Sequence, residues 1–415
     1  MLSKFFESSV RIDALRRGRE GSLFEGFAQA LSQTGYATIT ARRHLRAAEH
    51  FIYWTRRHSL PVRDLNLQPL ARFELHLNRC RCRHFGHANE EDVVRGVRVF
   101  LGYLQGSRII TRYPVKPPAH DPVLLAEFLQ WMHRQRGTSD ATLYNYSHHI
   151  RDLLSGVGEE PRRFDARRLR AFVLEKSCTC GWAAAKTCTT ALRMFVRFMV
   201  AEGQCAAGLE GAIPTLAHWR LATLPRYLQP EEVERVIASC DPGSSVGRRD
   251  RAILLLLARL GLRAGDIVHL RLSDMDWKEA WIHVCGKGRR STQLPLTQEI
   301  GQAIATYLQE GRPRTDSDTL FVRCRAPFHA LGSHCAVSVI VDRALRRAKV
   351  TRPSRGAAHL LRHSVATSML REGASLQDIA TILRHRSVET TQIYAKVDIP
   401  ALRQVAQPWP EVQPC

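Results

Sequence analysis

Apolar residues recur at spacings of three and four along most of the chain, the period of helices buried on one face. The stretch LFEGFAQALSQTGYATIT (23–40) shows this pattern and resembles LLAEFLQWMHRQRGTSDAT (124–142), with Gly35 matching Gly137 and Thr40 matching Thr142. A helical pattern follows each, ARRHLRAAEHFIYWTRRH in one and LYNYSHHIRDLLSGV in the other. Each copy then reaches a Cys-x-Cys and closes on an apolar helix, RGVRVFLGYL (95–104) or TALRMFVRFM (190–199). The spacing predicts two four-helix modules of about 85–95 residues each.

Punctuation divides the rest. TRYPVKPPAHDP (111–122) holds four prolines and predicts a linker, and a second joint falls near IPTLAHWRLATLPRYL (213–228). The boundaries read as one helical module over 1–112, a second over 117–212, a third region over 225–400 and a Pro-rich tail over 401–415. In the third region PEEVERVIASC predicts a helix starting at Pro230, with two acids in its first turn. GRRDRAILLLLARLGL predicts a buried helix ending near Gly261. WIHVCGKGRRSTQLPL (281–296) carries the clear strand signal, two alternating runs around a Gly-Lys-Gly turn. The fold expected is mainly α with one small antiparallel β-sheet.

The longest apolar run, Ile253 to Ala258, falls far short of the ~18 residues of a membrane span. The first twenty residues carry no signal-peptide apolar region, so a cytoplasmic protein without a membrane partner is expected. Formal net charge is +22, and 53 of the 61 basic residues are Arg. That balance points to a polyanionic partner, nucleic acid first, because guanidinium pairs with phosphate through a planar fork of donors. Eleven cysteines do not require disulfides in a cytoplasmic protein. Cys80, Cys82, His84 and His87 form a compact set of metal-ligand types, although Cys-x-Cys is tighter than the usual zinc spacing. Cys178 and Cys180 occupy the equivalent place in the second copy without histidines, which favours a shared structural corner with unmetallated thiols.

Chemistry concentrates near the C-terminus. In HLLRHSVATSMLREG (359–373), His359 and Arg362 lie three apart and share a helix face. Gly373 fits the helix stop, and Ser375 with Asp378 makes a capping box for the next helix. After a loop holding Arg384 and His385, Ser387 is a good N-cap for VETTQIYAKV, with Tyr394 two turns in. In GLRAGDIVHLRLSDMDW (261–277), Arg263 follows a glycine, and Asp266 is placed to orient its guanidinium. Lys287 sits at the hairpin tip between two glycines, where the backbone admits close approach to a phosphate.

Together these motifs resemble the tyrosine recombinase (phage-type integrase) family over roughly residues 228–400: GLR with a following acid, the GKG hairpin, H-x-x-R-H, and L-x-H nine residues before a Tyr preceded by TTQI. The resemblance implies a catalytic domain of that type behind two helical, SAM-like modules, 117–212 serving as core-binding domain and 1–112 as its duplicate. It implies Arg263, Lys287, His359, Arg362 and His385 as the activating set and Tyr394 as the nucleophile. Arg289, Arg290, Arg384 and Arg386 are candidate DNA contacts. The implied activity is site-specific cutting and rejoining of double-stranded DNA through a 3′-phosphotyrosine, with no metal, cofactor or ATP. The expected partners are DNA and other recombinase subunits, alike or sister, in a synaptic tetramer, as for the integrase of a mobile element. A type IB topoisomerase and a degenerate DNA-binding regulator are the competing readings. Where that family usually has Gly before the second histidine, this chain has Arg384. There Arg would either pay for a left-handed turn or clamp a phosphate with Arg386.

Overall fold

The computed structural model describes residues 1–82, 85, 89–110, 121–160, 163–216, 224–286, 291–351, 356–385, 387–398, 402–404 and 406. The chain divides into two compact units, residues 1–111 together with 221–415, and residues 112–220. Among the described residues no helix is long and apolar enough to cross a membrane.

The first unit opens with α1 (Ser9–Arg17), α2 (Gly21–Gln33), α3 (Thr38–Arg57), α4 (Leu67–Leu77) and α5 (Glu90–Gly106). Asn66 and Asn89 cap α4 and α5 by accepting backbone N–H groups, and three acids in the first turn of α5 suit its positive end. Helix α3 packs along α5 around Phe51, Phe73 and Phe100, all fully buried. Gly35, at φ +78°, turns the chain between α2 and α3 and lies against Phe328, whose ring a Cβ would meet at 2.2 Å. The second unit repeats the plan with α6 (Val123–Arg136), α7 (Asp140–Val157), α8 (Ala166–Thr179) and α9 (Trp182–Ala201). Here α7 packs along α9, and Gly137 takes the same left-handed turn, φ +55°.

The remainder of the first unit builds the chemistry-bearing region. Helix α10 (Pro230–Ala238) begins with proline and a Gln229–Glu232 capping box. Helix α11 (Ser245–Leu260) is buried on almost every side, its four leucines 254–257 wholly inaccessible, and ends at left-handed Gly261. After α12 (Ala264–His269) come β1 (Met275–Asp276), β2 (Trp281–Cys285) and β3 (Ser291–Pro295) in one antiparallel sheet. Ile282 pairs with buried Leu294 and Val284 with Thr292. Then follow α13 (Gln298–Thr306), α14 (His334–Arg347), α15 (Ala357–Arg371) and α16 (Leu376–Ile382). Helix α11 packs against α13 and α15.

Two local features differ from the sequence expectation. Strand β1 went unseen because two residues carry no alternation. VETTQIYAKV forms two 3₁₀ segments, Val388–Thr390 and Gln392–Val397, rather than an α-helix. Four β-branched residues in six positions (388, 390, 391 and 393) disfavour the α-helix there, and Thr391 is turned wholly inward. Tyr394 joins Ala366, Leu370, Ile379, Leu383 and Val397 in a small core beneath α15 and α16.

Gly261→Ala places a Cβ 2.6 Å from Leu383 in a backbone conformation that L side chains avoid. The substitution is expected to cost about 1–2 kcal/mol or more, read from urea unfolding.

Candidate functional site

Helix α15 carries His359, Arg362 and His363 towards the ends of α11 and α16. Arg362 is 4% exposed, and its guanidinium donates to the carbonyls of Gly261 and Leu383. Those are the C-terminal ends of α11 and α16, where the helix dipoles favour a cation. Burial still pulls the Arg362 guanidinium down to about 10, with Arg263 adding to the effect, so it stays charged at neutral pH.

Arg263 precedes α12. Its backbone N–H donates to Asp266 Oδ2 at 3.1 Å, and its guanidinium donates to the Arg384 carbonyl at 2.9 Å. The expected contact of Asp266 with the Arg263 guanidinium is therefore replaced: the carboxylate holds the Arg263 main chain. Asp266 also accepts from Arg384 Nη2 at 2.6 Å, in an ion pair with both side chains less than a tenth exposed.

That pair explains Arg384. Its φ is +54°, the left-handed region that favours glycine. Arg384 N–H donates to Thr381 O at 3.0 Å, and His385 N–H donates to Ala380 O at 2.8 Å, the paired bonds of a Schellman stop. Of the two expectations for Arg384, the left-handed turn is the one seen, and the side chain turns inward onto Asp266. His385 is fixed through Nδ1, 2.7 Å from Thr391 Oγ1, which leaves Nε2 to meet a ligand.

Tyr394 is 1% exposed, and its Oη lies within hydrogen-bond distance of His363 Nδ1, at 2.7 Å. Burial pushes the phenol up to about 12, although Arg362 pulls the other way. Burial pushes His363 down to about 4, helped by His359 and Arg362, so the proton rests on the phenol. His385 is likewise pushed down to about 4 by burial, then by Arg362 and Arg263. His359 is lowered for the same reasons.

Arg263, His359, Arg362, His385 and Tyr394 thus come together around the ends of α11 and α16. Lys287, Arg289, Arg290 and Arg386 lie outside the described residues. His363 was not singled out in the sequence, although it sits four residues after His359 on the same helix face. Three guanidiniums (263, 362, 384) are accompanied by one carboxylate, Asp266, which pairs with Arg384, so the described site carries two positive charges in excess. Such a site suits a phosphodiester whose nonbridging oxygens gain charge during attack. One carboxylate already shared by two arginines is a poor holder for Mg²⁺.

Arg384→Gly should relieve the turn while removing the partner of Asp266, whereas Arg384→Ala keeps the strain and loses the pair. Breaking a buried pair costs about 3–5 kcal/mol. Urea midpoints should therefore fall in the order wild type, Gly, Ala. Acidification gives a second expectation. His363 and His385 titrate at about 4 when folded against 6.5 ordinarily, so the unfolded chain binds protons that the folded one refuses. Stability of the DNA-free protein should fall as pH drops from 6.5 towards 4, read from thermal midpoints.

Residues 226–399 match the phage integrase family. A putative integrase/recombinase, y4rA, of Sinorhizobium fredii is 36% identical over 92% of this chain and 93% of its own length. The tyrosine recombinase XerC of Oceanobacillus iheyensis is 30% identical over 74% of this chain and 93% of its own. Among solved structures, a lambda integrase tetramer bound to a Holliday junction matches with a TM-score of 0.52 at 16% identity, over 80% of this chain and 91% of that one.

Proposed function

The chain belongs to the phage integrase family of tyrosine recombinases, enzymes that break and rejoin DNA, and from that premise we propose that Tyr394 is its nucleophile. The observation that carries this reading is the buried phenol beside an excess of guanidinium charge. Tyr394 Oη attacks the scissile phosphorus, the bond to the 5′-oxygen breaks, and a 3′-phosphotyrosine forms. Arg263 and Arg362 neutralise the nonbridging oxygens, and both are already held by main-chain carbonyls, so little reorganisation is needed. His385 hydrogen-bonds one of those oxygens through Nε2. His359 takes the phenolic proton once Tyr394 has left His363, and Lys287 protonates the departing 5′-oxygen.

An incoming phosphodiester offsets one of the two excess positive charges in the ground state, and the charge gained by its nonbridging oxygens during attack offsets the second. The added negative charge also raises the histidine pKa values towards their ordinary range. His363 holds the phenol in the DNA-free form and is a positioning residue. Residues 117–212 act as the core-binding domain, 225–400 as the catalytic domain and 1–112 as a duplicate of the former. The likeness to a recombinase crystallised as a DNA-bound tetramer supports an oligomer working on double-stranded DNA. Relatives named integrase or recombinase align over nearly the whole chain, which favours recombination over simple relaxation of supercoils.

A nicked suicide substrate tests the assignment. Wild type should accumulate a covalent adduct, and Tyr394→Phe should form none while still binding DNA. Arg263→Ala and Arg362→Ala should each slow adduct formation by about 10²–10³. An adduct that survives Tyr394→Phe rules out this nucleophile.

A further inference from the structure

The first helical module holds a second convergence of chemistry, remote in sequence from the proposed catalytic residues. His50 on α3, His76 in the last turn of α4, and Cys80 and Cys82 in the segment after α4 bring four ligand atoms together. All four lie within 4.8 Å of one another. It is the one group of its kind among the described residues. The sequence grouped these two cysteines with His84 and His87, which lie outside the described residues. The fold supplies His50 and His76 instead.

Two of the sulfur–nitrogen distances are those of a tetrahedral cage. Zn–S near 2.3 Å and Zn–N near 2.0–2.1 Å, at tetrahedral angles, put each sulfur about 3.5–3.6 Å from each nitrogen. Cys80 Sγ lies 3.5 Å from His50 Nε2, and Cys82 Sγ lies 3.6 Å from His76 Nε2. Isolated thiol–imidazole hydrogen bonds would explain either distance alone. They do not require both pairs to converge on one point from three separate segments. The Cys82 N–H also points at Cys80 Sγ at 3.5 Å, a donor that stabilises a thiolate.

The surroundings fix the imidazoles. The His50 ring stacks on Phe85 at 4.3 Å and meets Phe73 edge-on at 5.1 Å, and His50 is 5% exposed. An apolar shell of this kind limits solvent access and orients the ligands.

The second module offers an internal comparison. In the register set by Thr40 and Thr142, His50 matches Asp152, each ten residues on. Asp152 is paired there with Lys176 at 2.8 Å, next to the equivalent Cys178–Cys180 corner. One copy closes its corner with an ion pair, and the other presents two thiols and two imidazoles.

We propose that His50, His76, Cys80 and Cys82 bind a structural zinc ion that ties the segment after α4 to α3 and α4. Two sulfurs and two nitrogens in a tetrahedron select zinc among common cellular metals. Four protein ligands leave no open position, so the ion is structural and takes no part in DNA cleavage.

Metal analysis of the full-length protein tests this. Protein purified without chelator should carry about one zinc per chain, released by a thiol-directed mercurial. Cys80→Ser with Cys82→Ser should abolish it, and Cys178→Ser with Cys180→Ser should leave it unchanged. Should the first variant fail to fold, cobalt-exchanged wild type decides the matter. A tetrahedral visible spectrum with a thiolate-to-cobalt charge-transfer band supports the site. Wild type that neither retains zinc when supplied with it nor gives that spectrum overturns the proposal. So does zinc retained at full stoichiometry by the Cys80/Cys82 variant.

Discussion

The arrangement around Tyr394 depends on one left-handed residue. Arg384 stops α16 in a conformation that an L side chain resists, and the ion pair with Asp266 holds it there. The carbonyls exposed by that stop, those of Leu383 and Arg384, accept the guanidiniums of Arg362 and Arg263. Asp266 in turn fixes the start of α12 through the Arg263 main chain. Arg263 and Arg362, which would carry the chemistry, are thus positioned by one turn and one carboxylate. A glycine would make the turn without help, but it would leave Asp266 buried without its guanidinium partner.

Electrostatics sets the resting condition of the site. Burial, helped by uncompensated guanidinium charge, keeps the neighbouring histidines neutral, and burial keeps the phenol protonated against the pull of Arg362. Neither group is primed in this state. A phosphodiester supplies the missing negative charge, so substrate and activation arrive together. An enzyme that cuts DNA gains from such coupling, because the proposed nucleophile would be withheld until the phosphate is in place.

Much of this was legible in the sequence, for definite reasons. Helix ends were readable because Ser375, Asp378, Gly261 and Gly373 act within one turn of their own position. The residue set around Tyr394 was readable because each member sits in a short motif of fixed spacing. What escaped was long-range. The side chain of Arg384 found Asp266, 118 positions away, and no local pattern announces that partner. His363 was spelled out beside Arg362, yet its bond to Tyr394 spans 31 positions and needed the fold. Cys80 and Cys82 were seen, but their neighbour His50 lies 30 positions back on another helix, whereas His84 was merely nearer in sequence. The helix expected over VETTQIYAKV failed because cap signals outweighed the β-branched run that followed.

The 3₁₀ winding of that segment has a geometric consequence for reach. A 3₁₀ helix rises about 2.0 Å per residue and an α-helix about 1.5 Å, so the six steps from Val388 to Tyr394 span roughly 12 Å in one form and 9 Å in the other. The difference, about 3 Å, is comparable to the gap between a waiting oxygen and the phosphorus it attacks. A change of winding over this segment would therefore shift the Tyr394 hydroxyl by a distance on the scale of that gap.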